Sequence, residues 1–234
     1  MVFVRRFQNV LAKEKLLPRG SKIVVAVSGG PDSMALLTLL TRLCDKHTFT
    51  LHVVHINYEL RGRDSQQDEL LVQAACDAAN IPLSVFYPKA KPNNNIEATL
   101  REIRYELLEQ VRQELKFDFI VTAHTMNDLA ETLLMNLIRG AGLIGLSPFQ
   151  REHSHLVRPL LHFTRQDIEH FLKVEKIPAR IDQSNFSKKF TRNRIRHELL
   201  PLLKTLNPSI VETLAQTAKI LGHSVTRSSR KRST

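Results

Sequence analysis

Two kinds of hydrophobic pattern alternate along the first 145 residues. Short continuous apolar runs bounded by turn formers read as strands buried on both faces, and longer stretches with apolar positions three and four apart read as amphipathic helices. Val4 to Lys15 is read as a helix, Pro18-Arg19-Gly20 breaks the chain, and Ile23-Val24-Val25-Ala26-Val27 is a buried strand. There follow a helix from Ser33 to Cys44, a strand from Thr50 to Ile56, a helix over 66–79 and a strand from Leu83 to Tyr87. A helix from Ile96 to Leu115, a strand from Phe119 to Ala123 and a helix from Asn127 to Ile138 complete the series, the last closing near Gly140, a residue suited to ending a helix. This alternation predicts an α/β fold, a doubly wound, mainly parallel sheet of Rossmann-like type. Beyond residue 145 only helices are predicted, Phe163 to Glu175 and Arg192 to Leu200, with Pro178, Pro201 and Pro208 as punctuation. The expected plan is a core over 1–150, a helical basic C-terminal extension of the same domain over 151–218, and a mobile tail over 219–234 rich in Ser, Arg and Lys.

Composition narrows the class. The chain has 234 residues, 42% hydrophobic and 24% charged, which suits a folded globular protein and excludes a disordered chain or a disulfide scaffold. Its two cysteines, Cys44 and Cys76, form no CxxC pair and are expected to be buried thiols of a reducing compartment. Arg5 and Arg6 fall where a signal peptide needs its apolar run, and no stretch reaches about 18 apolar residues, so a cytoplasmic protein without membrane contact is expected. The net charge of +11 is lopsided: residues 1–150 hold 17 basic and 16 acidic side chains, residues 151–234 hold 17 and 7. A positive surface of that kind attracts polyanions, nucleic acid above all.

The sharpest motif is Ser28-Gly29-Gly30-Pro31-Asp32-Ser33, between a buried strand and a helix. Two glycines let the backbone turn with its N–H groups open to close approach, Pro31 is tolerated where a helix begins, and the helix N-terminus favours anions. Ser28 and Ser33 add hydroxyls. Asp32 beside phosphates is unfavourable unless a cation intervenes, which makes it the candidate Mg²⁺ ligand. The alternative is an ordinary strand-to-helix turn. The loop is neither GxxxxGK[ST] nor GxGxxG, which argues against a Walker-type kinase or GTPase and a dinucleotide dehydrogenase. His124, Asp128 and Glu131 are spaced to share one helix face after the fourth strand, and because ligands bind at the carboxyl ends of the strands in a doubly wound sheet, they and the glycine loop should face one crevice. Such a pair of carboxylates can hold an amine and take its proton; a solvated helix face is the alternative. Arg139, ahead of Gly140, Gly142 and Gly145, could bring a cation to a phosphate or simply end a helix. Arg192, Arg194 and Arg196, with Lys188 and Lys189, suit contacts to RNA phosphates and unpaired bases, or a charged surface helix.

The glycine motif after Val25-Ala26-Val27 resembles the signature of the N-type ATP pyrophosphatases, the PP-loop superfamily, and the chain as a whole is similar to the tRNA(Ile)-lysidine synthetase family within it. The likeness runs through Asn57 and Leu60-Arg61, Asn95 to Ala98 with Arg101, Arg104 and Tyr105, Ala123 to Asp128, Glu131-Thr132 and Arg139 to Leu146. Arg158 to Leu161, Asp182 to Asn185 and Thr191 to Arg196 extend it, so that residues 20 to 208 are covered. The chain departs from the family where Tyr58 and Glu59 stand for a histidine and a glycine, Thr125 for a second histidine, and Asn127 for an aspartate. Family members also continue into further C-terminal domains, which makes this chain a short form or a fragment.

The resemblance implies an adenine nucleotide alpha hydrolase type of fold and an ATP- and Mg²⁺-dependent ligase. Its substrates would be L-lysine and tRNA(Ile) with a CAU anticodon. ATP would adenylate the carbon-2 oxygen of the wobble cytidine with loss of pyrophosphate, and lysine would then displace AMP to give lysidine. On that reading residues 28–33 hold the nucleotide, His55 packs by the adenosine or is a core histidine, and His124, Asp128 and Glu131 bind lysine. Arg139 lies on the active-site rim. A tRNA thiolase of the same superfamily and a non-catalytic RNA-binding module are the rivals, the former disfavoured because both cysteines fall in predicted helices. The oligomeric state is left open, a homodimer being one arrangement.

Overall fold

Ile23, Val24 and Val25 have no exposed surface because they form β1 (Lys22–Ala26) in the middle of a five-stranded sheet. β2 (Thr50–Ile56) pairs with one edge of β1 and β4 (Phe119–Val121) with the other, while β3 (Leu83–Phe86) adds outside β2 and β5 (Leu156–Val157) outside β4. Every pairing is parallel and the order is β3-β2-β1-β4-β5. A strand flanked on both edges and covered on both faces has no polar side to show, which is why β1 reads as an unbroken apolar run. The chain order reverses between β1 and β4, the position at which sheets of this kind bind ligands at the carboxyl ends of their strands.

The helices are α1 (Val2–Lys13), α2 (Pro31–His47), α3 (Arg63–Ala78), α4 (Ile96–Glu114), α5 (Met126–Ile138), α6 (Arg165–Glu175), α7 (Thr191–Arg194), α8 (Leu200–Leu206) and α9 (Ile210–Arg230). The structure, a computed structural model, describes residues 2–89, 96–143, 145–146, 155–180 and 191–230. Lys188, Lys189, Asn95, Ile144 and Asp182 to Asn185, all singled out in the sequence, lie outside the described residues. No helix among those described is long and apolar enough to cross a membrane.

Contacts divide the chain into two units. The first comprises residues 1–123, 154–159 and 166–181, and holds the sheet. Val24, Val54 and Ile120 from its three central strands meet Leu108 and Val111 of α4, and Phe3 of α1 stacks on Phe171 of α6 at 4.8 Å. The second comprises residues 124–153, 160–165 and 182–234. Its core is α5 against α9, with Leu129, Ala130, Leu133 and Leu134 meeting Val211, Ala215 and Ala218. The second unit is discontinuous in sequence because α5 buries its apolar face on a helix more than 70 residues later in the chain. α9 runs across residue 219, where the tail was expected to begin, and continues to Arg230. The spacing of Val211, Ala215 and Ala218 is the four-and-three repeat of a helix face, so the signal was in the sequence.

Two further differences have local causes. Pro201 does not end a helix; it sits in the first turn of α8, after a π-helical turn over Ile195–Leu199. Leu200 donates its N–H to Ile195 O, five residues back, and this wider turn carries the helix past a residue with no N–H of its own. β5 is two residues long, in register with Ile120 and Val121, too short for any periodicity to announce it.

Glu59, where the family resemblance leads one to expect glycine, adopts φ +55°. A left-handed conformation costs an L-residue about 1–2 kcal/mol, and its N–H bond to Asn57 Oδ1 at 2.9 Å helps to hold it. Glu59→Gly relieves that strain but loosens the unfolded chain. It is therefore expected to raise stability by about 0.5–1 kcal/mol in urea denaturation, a loss of stability being the contrary result. Tyr58 donates its hydroxyl to Leu100 O at 2.8 Å, tying this loop to α4.

Candidate active site

The glycine turn leaves the carboxyl end of β1 as expected. Gly29 has φ +84°, and Gly30 caps α2 in an extended conformation with Pro31 in the first turn. Ser33 stitches the turn closed. Its Oγ accepts the Ser28 N–H at 3.1 Å and donates to Gly30 O at 2.9 Å. The buried Ser33 hydroxyl is thus spent on the loop itself, and of the two serines Ser28 is the exposed one. Asp32 lies in the first turn of α2, where the helix dipole favours a negative charge.

His55 is buried, and its Nδ1 donates to Val27 O at 2.8 Å. That bond couples the end of β2 to the residue at which the loop begins, which fits both of the roles weighed for it. Among the described residues no group of three or more His, Cys, Asp or Glu could hold a metal ion. The Asp32 carboxylate is a hard oxygen donor of the type that suits Mg²⁺, an ion that keeps several waters and takes other oxygens from substrate phosphates.

His124, Asp128 and Glu131 belong to the second unit and do not stand as a bare acidic pair. Thr125 caps α5: Asp128 donates its N–H to Thr125 Oγ1, and Asp128 Oδ2 accepts from the Thr125 N–H at 2.8 Å and from its hydroxyl at 2.9 Å. Thr125, one of the departures from the family pattern, is thus accounted for as a helix cap. Asn127, another, accepts the Arg165 N–H at 2.8 Å where α6 starts.

Three guanidiniums surround the two carboxylates. Arg192 gives Nη2 to Asp128 Oδ1 at 2.9 Å and Nε to Glu131 Oε2 at 3.0 Å. Arg196 forks onto Glu131 with Nε at 2.7 Å from Oε1 and Nη2 at 2.8 Å from Oε2. Arg165 lies 3.4 Å from Glu131 and 3.7 Å from Asp128. Glu131 has no exposed surface. Burial opposes the ionisation of Asp128, but Arg192, His124 and Arg165, with the Thr125 N–H, outweigh it and bring the carboxyl down to about 2.

Arg192 and Arg196, expected as RNA contacts from their residue type and the positive charge of this third of the chain, pair with Asp128 and Glu131. Arg194, with a side chain 66% exposed and a pair to Glu198 at 3.2 Å, is the one of the three that faces outward. Arg139 is exposed and ends α5, with Gly140 following at φ +71°, which fits both of the roles weighed for it. Arg165 escaped the sequence reading because no local spacing links residue 165 to residues 128 and 131; the fold alone brings them together. Both cysteines lie in helices, and burial pushes the Cys76 thiol up to about 11, so it rests as the unreactive thiol.

Residues 1–203 match the PP-loop domain family model. A tRNA(Ile)-lysidine synthase of Porphyromonas gingivalis W83 is 40% identical over 225 residues, covering 92% of this chain and 48% of that protein. One from Gloeobacter violaceus is 41% identical over 212 residues, covering 88% of this chain and 64% of its own. The chain spans about half the length of the curated relatives it matches. Among solved structures, a U34-tRNA thiolase from Methanococcus maripaludis aligns with a TM-score of 0.78 at 18% identity, over 94% of this chain and 79% of that one. An NH3-dependent NAD synthetase from Campylobacter jejuni aligns with a TM-score of 0.52 at 17% identity, over 94% and 95%. At such identities both speak to the fold alone.

Proposed function

Because the chain belongs to the PP-loop domain family, we propose that it binds ATP at the turn of residues 28–33 and uses it to join L-lysine to carbon 2 of the wobble cytidine of tRNA(Ile) with a CAU anticodon. The observation that carries the ATP reading is the glycine turn at the carboxyl end of the central strand, opening onto the N-terminus of α2. Its backbone N–H groups and the helix dipole would hold the departing pyrophosphate. Asp32 would hold Mg²⁺, which when bound neutralises phosphate charge. Arg139 would offset charge at the reacting phosphate.

The second unit would handle lysine. A carboxyl held as low as that of Asp128 is a weak base, so Asp128 suits orienting an ammonium rather than deprotonating it. The His124 imidazole, just ahead of α5, would be the proton acceptor. Glu131 is buried and its part is to hold Arg192 and Arg196 in place. Three guanidiniums against two carboxylates leave positive charge over, which suits the α-carboxylate of the amino acid. Binding of tRNA would draw on the basic residues 151–234, with 17 basic against 7 acidic side chains, and Arg194, whose side chain faces outward, would be one of the contacts.

The decisive assay is pyrophosphate release that depends on tRNA(Ile), followed by incorporation of labelled lysine into the tRNA. Nucleotide binding without either product would favour the non-catalytic module. Asp128→Asn is expected to raise the lysine KM at least tenfold and leave the ATP KM within about twofold, since a lost charge-assisted bond is worth roughly 1.5–3 kcal/mol. Equal effects on both constants would remove Asp128 from the lysine site.

A further inference from the structure

The glycine turn is gripped from outside by a residue that the proposed chemistry does not use. Arg180, five residues past the end of α6, donates its backbone N–H to Gly29 O at 3.1 Å. Its side chain is anchored on α3, with Nε 2.8 Å from Asp68 Oδ1 and Nη2 2.8 Å from Asp64 Oδ1. Asp68 is buried, and its other oxygen accepts Arg61 Nη2 at 2.6 Å. Asp68 is also the wall against which the turn packs: a Cβ on Gly29 would lie 3.1 Å from Asp68 Cβ and 3.2 Å from its backbone oxygen. The turn is thus held between α3 and residue 180, all within the first unit.

Two physical consequences follow from this arrangement. A trans peptide points its N–H opposite to its C=O, so tying Gly29 O to Arg180 sets the direction of the Gly30 N–H, a donor at the open N-terminus of α2. With the tie cut, a peptide flanked by two glycines is free to rotate away from that direction. Charge is the second consequence. Asp64 and Asp68 beside a loop that receives a polyanion would repel it, and Arg180 together with Arg61 neutralises them.

We propose that Arg180 is a positioning residue for the phosphate loop: its ion pairs to Asp64 and Asp68 hold its backbone N–H on Gly29 and thereby aim the Gly30 N–H at the phosphates of the nucleotide. The proposal rests on the ATP reading above and deepens it. The test is calorimetric titration with Mg-ATP of the full chain and of Arg180→Ala, Arg180→Lys and Arg42→Ala. The last removes an exposed pair, at 2.9 Å, from Arg42 in the C-terminal half of α2 to Glu175 on α6.

Arg180→Ala is expected to weaken ATP binding by about 10- to 100-fold, the scale on which a small misplacement acts, and to leave the lysine KM unchanged. Arg180→Lys recovers part of the loss, because an ammonium replaces the fork with a single charge. Arg42→Ala binds as wild type. Wild-type affinity in Arg180→Ala, or an equal loss in Arg42→Ala, overturns the proposal while leaving the ATP site standing. Should Arg180→Ala not fold, wild-type affinity in Arg180→Lys overturns it as well. A wild-type chain that binds no ATP overturns the ATP reading and this proposal together.

Discussion

Asp32→Asn is expected to cut ATP-dependent pyrophosphate release by about 10²–10³-fold, the usual scale for losing one group that stabilises developing charge. The amide keeps the shape of the first turn of α2 but removes the charge. A carboxylate there has a favourable interaction with the helix dipole, and on the proposed reading a bound Mg²⁺ would separate it from the phosphates. The variant should melt within a few degrees of wild type and bind tRNA equally well, because neither property draws on Asp32. Pyrophosphate release at the wild-type rate would show that the residue serves the helix and not the chemistry.

Glu131→Gln is expected to destabilise the chain by about 3 kcal/mol, near the lower end for breaking a buried ion pair because the arginines retain some solvent contact. Glu131 is fully buried, and Arg192, Arg196 and Arg165 converge on it. A neutral amide would leave three guanidiniums with Asp128 as their remaining carboxylate in the cluster. At 2–4 °C per kcal/mol for a chain of this size, the melting temperature should fall by roughly 6–12 °C. A fall of less than 2 °C would mean that the cluster relaxes into water and holds nothing.

The same cluster sets an acid limit. The Asp128 carboxyl is brought from an ordinary 3.8 down to about 2 in the folded chain. A group whose folded value lies below its unfolded value contributes stability that is complete above about pH 4 and lost as the pH falls toward 2. Acid denaturation of Asp128→Asn should therefore show a shallower loss over that window than wild type.

Local pattern accounts for much of the first unit. The apolar run of β1, the glycine turn and the helix after it are each written in adjacent residues, since burial on both faces, a positive φ and a helix N-terminus are local demands that particular residue types meet. The departures from the family pattern were legible as positions but not as roles: Thr125 caps α5, Asn127 holds the start of α6, and Glu59 bears a strained φ in place of glycine. What only tertiary structure decided was the pairing of charges. The sequence placed carboxylates at 128 and 131 on one helix face and arginines at 192, 194 and 196 on another segment, and spacing could say only that the first set attracts cations and the second attracts anions. Folding brings two of those arginines, and a third from residue 165, onto the carboxylates, because a buried charge is tolerated only with its opposite beside it. Such partners are chosen across more than 30 residues of chain, a distance over which no local periodicity carries information, and Arg180 on Gly29 is the same case at the nucleotide loop.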